Sequence, residues 1–400
     1  MKISSNQDGL LVAGASLLGV LLIVGLLCLA LWFQAWGPGE ATVQPASPTP
    51  TPTSWPSPRM ASPEYGLQAY LWWDEAIARR DMDLIADAGF GWVKQNVGWR
   101  DVEGAGKGAF NWYFTDRILD DAEERGLKVL FRLDSEPAWA ALEKGVRSRN
   151  GPPEDVEDFG DFCHALAERY AGRVDAYQVW NEPNLAREWG GYAPSAAEYV
   201  ELLRACYVGV KTADPDALVV SAGLAPTGTG LPEAIPDMDY LVQMYEAGAA
   251  PYFDALGVNA PGYKAPPEVS PEEAAATPAY GGQRFFCFRH VEDLREIMVE
   301  HGDGDKQVAI MEMGWTVDPR PDSPYHWHAV TPEQKADYLV RAFQYAEEHW
   351  SPWIGVMNVL SIADPRWTPE SEQYWWAVTD PSWPETKVRP AYEALRAMEK

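Results

Sequence analysis

The chain has 400 residues, a formal net charge of −27 and 19 tryptophans. Its length allows one large domain or two ordinary ones. The negative charge argues against nucleic acid and anionic lipid surfaces as partners, because both would repel an acidic protein. The composition therefore favours a domain with a sizeable core that acts on a neutral ligand.

The N-terminal segment predicts a membrane anchor that follows a short cytoplasmic stretch, residues 1–9. Residues 10–33 carry no charged side chain and are long enough to span a bilayer. A signal peptide has a shorter apolar core and a small-residue cleavage site, neither of which is seen here. Lys2 is the only basic side chain before the span, which weakly favours a cytoplasmic N-terminus. Secretion after signal cleavage is the alternative.

Residues 34–63 form a linker rich in proline, serine and threonine. Such a composition cannot bury a core and favours extended polyproline II conformations. We therefore expect a single-pass protein of the cell membrane, with residues 64–400 held off the membrane on the extracytoplasmic side.

Short apolar runs alternate with amphipathic stretches throughout residues 64–400. The runs are 66–71, 91–96, 128–133, 174–180, 217–222, 253–258, 307–311 and 354–360. The amphipathic stretches are 76–88, 115–125, 156–170, 195–212, 238–247, 291–301, 332–350 and a closing segment at 390–398. This alternation predicts a (β/α)₈ barrel of the TIM type. A doubly wound open sheet is the alternative, although no glycine-rich phosphate loop follows the first strand.

Polar and aromatic side chains stand at or just beyond the C-terminal ends of these predicted strands, where active sites of such barrels lie. They are Lys94, Trp99, Asp134, Trp180, Asn181, Glu182, Asn259, Tyr263, Glu312 and Trp315. The ends of the fourth and seventh strands face each other across a closed barrel. Glu182 and Glu312 would therefore flank one cleft, as the two carboxylates of a glycoside hydrolase do.

Several motifs carry a resemblance to a known superfamily. They include Trp-Asn-Glu-Pro at 180–183, Glu-Met-Gly-Trp at 312–315 and Arg-Pro-Ala-Tyr-Glu-Ala-Leu at 389–395. With these motifs, residues 66–395 resemble the clan A glycoside hydrolases, which comprise cellulase-like endoglycanases, β-xylosidases and β-galactosidases. The resemblance implies retention of anomeric configuration by double displacement, a carbohydrate substrate and no cofactor.

The resemblance also implies roles for individual residues. Glu182 would be the acid/base, Glu312 the nucleophile, and Asn181 a ligand of the sugar 2-hydroxyl. Lys94 stands where an arginine is usual, and Asn259 where many members have histidine.

The remaining candidates are predicted to bind substrate. Lys94 and Tyr263 are candidates to hold the ionised carboxylate by charge and hydrogen bond. Trp180 and Trp315 are expected to stack on sugar rings, with core packing as the alternative. Trp99 and Asp134 complete the predicted set.

Three further interpretations stay open at this stage. The His-Trp-His segment at 326–328 indicates a polar, aromatic rim of the substrate site rather than a metal pair, because no third ligand is evident. The barrel, expected to be monomeric, could be an inactive polysaccharide-binding domain or a transglycosylase that remodels surface glycans. Cys163, Cys206 and Cys287 are expected to be buried free thiols, with a Cys163–Cys206 bridge as the alternative.

Overall fold

The structure is a computed structural model that describes residues 59–72, 74–142 and 150–400. The predicted anchor at residues 10–33 and most of the predicted linker lie outside this part of the chain, so both stay predictions. Within the described part, no helix combines the length and the apolar character needed to cross a membrane.

Eight parallel strands close into a barrel in the order in which the chain supplies them. The strands are β1 (Glu64–Gln68), β2 (Trp92–Gly98), β3 (Lys128–Asp134), β4 (Ala176–Val179), β5 (Leu218–Val220), β6 (Ala255–Pro261), β7 (Gln307–Gly314) and β8 (Ile354–Val359). β1 pairs with both β2 and β8. In an open sheet the pairing between β1 and β8 would be missing. The predicted (β/α)₈ barrel is confirmed.

Helices follow or interrupt the strands along the described chain. They are α1 (Glu75–Asp87), α2 (Trp99–Glu103), α3 (Tyr113–Glu123), α4 (Val156–Arg169), α5 (Ala196–Ala213), α6 (Asp237–Glu246), α7 (Pro271–Ala276), α8 (Val291–Glu300), α9 (Pro332–Trp350), α10 (Glu372–Trp376) and α11 (Pro390–Ala397). The side chains of Asp74, Asp155, Ser195 and Thr331 each accept a backbone N–H at a helix start. These N-caps satisfy amides that have no partner within the helix.

The core has two layers. The outer layer packs the helices against the barrel, and its members include Phe159, Trp180 and Trp315. The inner layer fills the barrel and consists of Met60, Trp92, Leu130, Ala176, Leu218, Val220, Ala255, Ala309, Met311 and Val356. Met60 closes the N-terminal end of the barrel, where its amide donates to Gln307 Oε1 at 2.8 Å. A cavity of about 250 Å³ lies beside Met60 at this end, and a larger cavity opens at the C-terminal end of the barrel.

A disulfide joins Cys163 on α4 to Cys206 on α5, with 5.3 Å between the two Cα atoms. The default prediction of free thiols was therefore wrong for this pair, and the alternative was right. The cause is close packing of α4 against α5, where Gly160 and Gly209 bring the two backbones together. A Cβ on Gly209 would lie 2.4 Å from the Gly160 carbonyl oxygen. Cys287 is a free, buried thiol.

We expect loss of this disulfide to lower the free energy of unfolding by about 2–4 kcal/mol, because the bridge restricts the unfolded chain. A Cys163→Ser/Cys206→Ser variant should unfold at lower denaturant concentration than the oxidised protein. Equilibrium unfolding with and without reductant measures this. The oxidised protein should respond to reductant and the double variant should not; equal midpoints for the two proteins would contradict a stabilising bridge.

Candidate active site

Glu182 reaches the mouth of the barrel through an unusual turn after β4. Trp180 and Glu182 both have positive φ, at 70° and 43°. Strand alternation would point Trp180 into the barrel with Ala176, but the left-handed conformation at 180 ends that alternation. Trp180 instead packs outside the barrel against Phe159, with ring centroids 5.8 Å apart. The same turn directs Asn181 and Glu182 to the cavity.

An irregularity in β7 turns the side chain of Glu312 towards the cavity. Pairing with β8 is interrupted between Ile310 and Met313. Met311 faces the barrel interior, and the next residue, Glu312, lines the cavity above it. Two successive side chains on one side of a strand require such a break in the pleat. Glu312 thereby faces the same cavity as Glu182.

The cavity at the C-terminal end of the barrel has a volume of about 770 Å³, which suits a small organic ligand. Its lining is polar and aromatic. The carboxylates and arginines of the lining are Glu182, Glu188, Glu233, Glu312, Glu372, Arg132 and Arg187. The rings are Tyr70, Tyr263, Tyr325, His328, Trp367 and Trp376.

Glu182 is the carboxylate whose proton affinity the cavity changes. Its side chain is 15% exposed. Burial, and then the negative charge of Glu312, raise its pKa to about 7. Asn259 Nδ2 donates to Glu182 Oε1 at 2.9 Å, and Arg187 Nη2 lies 3.3 Å from Oε2. A proton on Glu182 is therefore available near neutral pH.

Glu312 is held by two cations. Lys94 Nζ lies 3.4 Å and Arg132 Nη1 lies 3.3 Å from Glu312 Oε1. Arg132 Nε is in turn 3.0 Å from Asp134 Oδ2, and Asn96 Nδ2 donates to that same oxygen at 3.1 Å. Asp134 thus orients the arginine from behind and does not line the cavity. Glu312 therefore lies against two basic side chains, whereas Glu182 lies near one.

Tyr70 was not among the predicted site residues and lies beside Glu312. Burial and the charge of Glu312 raise its pKa to about 12, so the hydroxyl keeps its proton. Gln68 Nε2 donates to the Tyr70 hydroxyl oxygen at 2.8 Å, and Ser361 also interacts with that hydroxyl at the cavity. Tyr263, predicted as a partner of the ionised carboxylate, instead donates to the Pro226 carbonyl at 3.3 Å.

The three predicted tryptophans lie in the core. Trp99, Trp180 and Trp315 are each 0% exposed, and none lines the cavity. Their indole N–H groups are taken by Glu103 Oε2, the Glu188 carbonyl and the Ala265 carbonyl. The structure therefore favours core packing for Trp180 and Trp315. Trp99 also packs in the core. The large rings that do line the cavity are Trp367, which lies in a loop, and Trp376, which lies at the end of α10.

The amides of Asn181 and Asn259 bring further polar groups to the site. Asn181 Oδ1 and Asn259 Oδ1 are buried and accept no hydrogen bond from the described residues. A Cβ on Gly223 would lie 2.2 Å from Asn259 Oδ1, so glycine is needed at 223 for this rotamer. Unpaired buried acceptors beside a cavity suit a ligand that donates hydroxyl protons.

Some cavity residues had a signal in the sequence and others had none. Arg132 stands two residues before Asp134 on the same strand, so period-2 alternation could have placed both in the site. His328 lies in the predicted rim and does line the cavity, between Trp327 and Trp376. Arg187 and Tyr325 come from irregular segments, and no periodic pattern marks such segments.

Comparison with known proteins bears on the same region of the chain. Residues 61–232 match the model of glycosyl hydrolases family 39. The match covers less than half of the chain and shows similarity to that family over these residues. The predicted membership of clan A is therefore confirmed. The match contains β1 to β5 and includes Glu182 but not Glu312.

Two curated proteins and two solved structures illustrate the similarity. A β-xylosidase from Geobacillus stearothermophilus is 30% identical over 141 residues, which are 32% of this chain and 28% of that protein. Beta-glucosidase 3 from Oryza sativa subsp. japonica is 26% identical over 145 residues, 34% of this chain and 28% of that protein. The alignments thus span less than a third of either relative.

The solved structures are similar in fold over most of the barrel. A family 39 glycoside hydrolase from Bacteroides cellulosilyticus WH2 has a TM-score of 0.57 at 19% identity, covering 84% of this chain and 63% of that one. A GH10 endoxylanase from a sugarcane soil metagenome has a TM-score of 0.56 at 14% identity, covering 84% of this chain and 97% of that one. At such identities the likeness concerns the barrel itself.

The environment of Glu182 generates a testable prediction. Arg187 lowers the pKa of Glu182, against the larger effects of burial and Glu312. Arg187→Gln should therefore raise that pKa above about 7. We expect a rise of less than about one pH unit, because Arg187 is largely exposed and exposed ion pairs contribute only about 0.2–1 kcal/mol.

Carbon-13 NMR titration of glutamate carboxyls measures the change, with Glu182→Gln identifying the resonance. Arg204→Gln is the control, because Arg204 pairs with Glu157 and Glu201 on outer helices. A pKa that falls, or an equal change in the control, would contradict the electrostatic interpretation.

Proposed function

We propose that this chain hydrolyses β-linked glycosides with retention of anomeric configuration. The observation that carries the proposal is the unequal environment of two carboxylates in one cavity. Glu182 has a pKa raised to about 7, and Glu312 contacts two cations. A retaining glycosidase needs this inequality, since one carboxyl group must donate a proton while the other attacks. The names of the β-xylosidase and β-glucosidase relatives support a β-glycosidic substrate.

In the first step, the protonated Glu182 gives its proton to the glycosidic oxygen as that bond breaks. Glu312 attacks the anomeric carbon and forms a glycosyl ester, so the aglycone leaves as an alcohol. Lys94 and Arg132 contact the attacking carboxylate through Glu312 Oε1 and orient it.

In the second step, Glu182, now ionised, removes a proton from a water molecule. That water attacks the anomeric carbon and releases Glu312 as a carboxylate, which restores both groups. Each displacement inverts the anomeric carbon, so the product retains the starting configuration. Asn181, Asn259 and Tyr70 supply hydrogen-bonding groups for the sugar hydroxyls.

The two carboxylates should differ in their mutant kinetics. Glu312→Ala should abolish turnover of aryl β-glycosides, because no glycosyl ester can form. Azide should restore turnover by filling the gap, and the product should be a glycosyl azide of inverted configuration. Glu182→Ala should keep a fast first step on substrates with very good leaving groups, since those need little protonation.

Release of the chromophore and NMR of the products measure these outcomes. Glu233→Ala is the matched control, a cavity carboxylate outside the proposed mechanism. Identical behaviour of the two variants towards activated substrates would show that the assignment of roles is wrong, as would an inverted initial product.

The pH dependence follows from the raised pKa of Glu182. The acid form is required for the first step, so kcat/KM should fall as pH rises through about 7. Glu182→Gln should remove this limb for substrates that need no protonation. A pH profile between pH 4 and 9 with an aryl glycoside tests this. An alkaline limb unchanged in Glu182→Gln would assign the titration to another group.

A further inference from the structure

One wall of the cavity is formed by α10. Glu372, Gln373 and Trp376 of this helix line the cavity. The helix has only five residues, and no side chain caps its N-terminus. Isolated helices of this length are unstable in water, because the conformational entropy lost in forming the first turn outweighs the free energy gained from its hydrogen bonds. Something outside α10 must hold this wall in place.

The external support is a buried lysine from α9. Lys335 is 2% exposed, and its Nζ donates to three consecutive backbone carbonyls at the end of α10. The acceptors are Trp375 at 3.4 Å, Trp376, and Ala377 at 2.9 Å. Those carbonyls carry the partial negative charge of a helix C-terminus and lack partners within the helix.

Arg389 supports the same segment. Its Nη1 donates to the Ala377 carbonyl at 3.2 Å and to the Tyr374 carbonyl. Asp380 lies 2.7 Å from Arg389 Nε and orients the guanidinium. The end of α10 therefore receives hydrogen bonds from two basic side chains.

The placement of Lys335 is costly for stability alone. Burial and the charge of Arg389 hold the pKa of Lys335 well below its usual value. The residue also lies in the first turns of α9, where the helix dipole disfavours a positive charge. The acceptors of Lys335 Nζ among the described residues are backbone carbonyls. Burying an amine with such partners costs more free energy than burying an apolar side chain of the same length.

We propose that Lys335, supported by Arg389, is a positioning residue that fixes the Glu372–Trp376 wall for binding of the glycan. This inference rests on the proposed function. Lys335 touches no substrate and acts through the backbone of α10. Its loss should therefore weaken substrate binding and leave the chemical step at Glu182 and Glu312 unchanged.

The kinetic test is Lys335→Met, which keeps the length of the side chain and removes the donors. KM for an aryl β-glycoside should rise about tenfold, because contacts of the wall that are equal in the ground state and the transition state contribute to binding and not to the chemical step. The value of kcat should stay within about twofold. An unchanged KM, or a loss carried by kcat, would overturn the proposal.

Lys211→Met is the matched control. Lys211 is also fully buried and donates to the carbonyls of Pro215 and Ala217, at the opposite end of the barrel. It also loses an ion pair with Asp254, so its cost in stability should be at least as large. KM should not change in this control. An equal rise in KM would show that Lys335→Met acts through general destabilisation.

A double-mutant cycle tests whether the effect passes through the wall. If Lys335 acts through Trp376, then Lys335→Met and Trp376→Ala should be less than multiplicative in KM. Lys211→Met combined with Trp376→Ala should be multiplicative. Multiplicative effects in both cycles would contradict a link between Lys335 and the wall.

Hydrogen exchange separates failure of this inference from failure of the proposed function. Lys335→Met should speed amide exchange in residues 372–378 at least tenfold, and Lys211→Met should not. This readout needs no turnover. A wild-type protein without glycosidase activity would refute the proposed function. Unchanged exchange in Lys335→Met would refute the positioning role of Lys335.

Discussion

The site depends on the unequal electrostatic surroundings of two carboxylates that share one cavity. Each would ionise readily in water, and neither would then differ from the other. Burial and the charge of Glu312 act together on Glu182 and favour its protonated form. On the other side of the cavity, Lys94 and Arg132 give Glu312 a cationic environment. Two chemically identical side chains thereby acquire different electrostatic surroundings, on which the two roles proposed for them depend.

The barrel maintains this inequality by rigid but strained local geometry. Trp180 and Glu182 are non-glycine residues in a left-handed conformation, which costs on the order of 1 kcal/mol or more each. The cost is offset by burial of the Trp180 indole and by its hydrogen bond to the Glu188 carbonyl at 2.9 Å. Trp180 therefore anchors the turn that presents Glu182. This explains why a tryptophan precedes the Asn-Glu pair although it faces away from the cavity.

The fold was predictable because it follows from periodicity, and much of the site was not. Eight apolar runs separated by amphipathic stretches are compatible with few topologies. The ends of the predicted strands then indicate Glu182 and Glu312 as site residues. Period-2 alternation failed at Trp180, since a left-handed residue cannot be read from strand patterning. It failed also at the break in β7, which turns Glu312 towards the cavity. The short α10 carries too few residues for a helical period to be visible, yet it contributes Trp376 to the lining.

Lys94 sets a limit on how this site can work. A lysine offers a single charged atom, and Lys94 Nζ already donates to the Met311 carbonyl at 2.9 Å. Burial is the main cause of the fall in its pKa to about 8, and the neighbouring charge of Arg132 contributes. An arginine at this position would keep its charge at any such pH. Arg132, held by Asp134, supplies the second cation that a lysine alone does not guarantee. Glu312 therefore keeps a charged partner, Arg132, even where Lys94 begins to lose its proton. As pH rises, Glu182, with a pKa of about 7, loses its proton before Lys94, with a pKa of about 8.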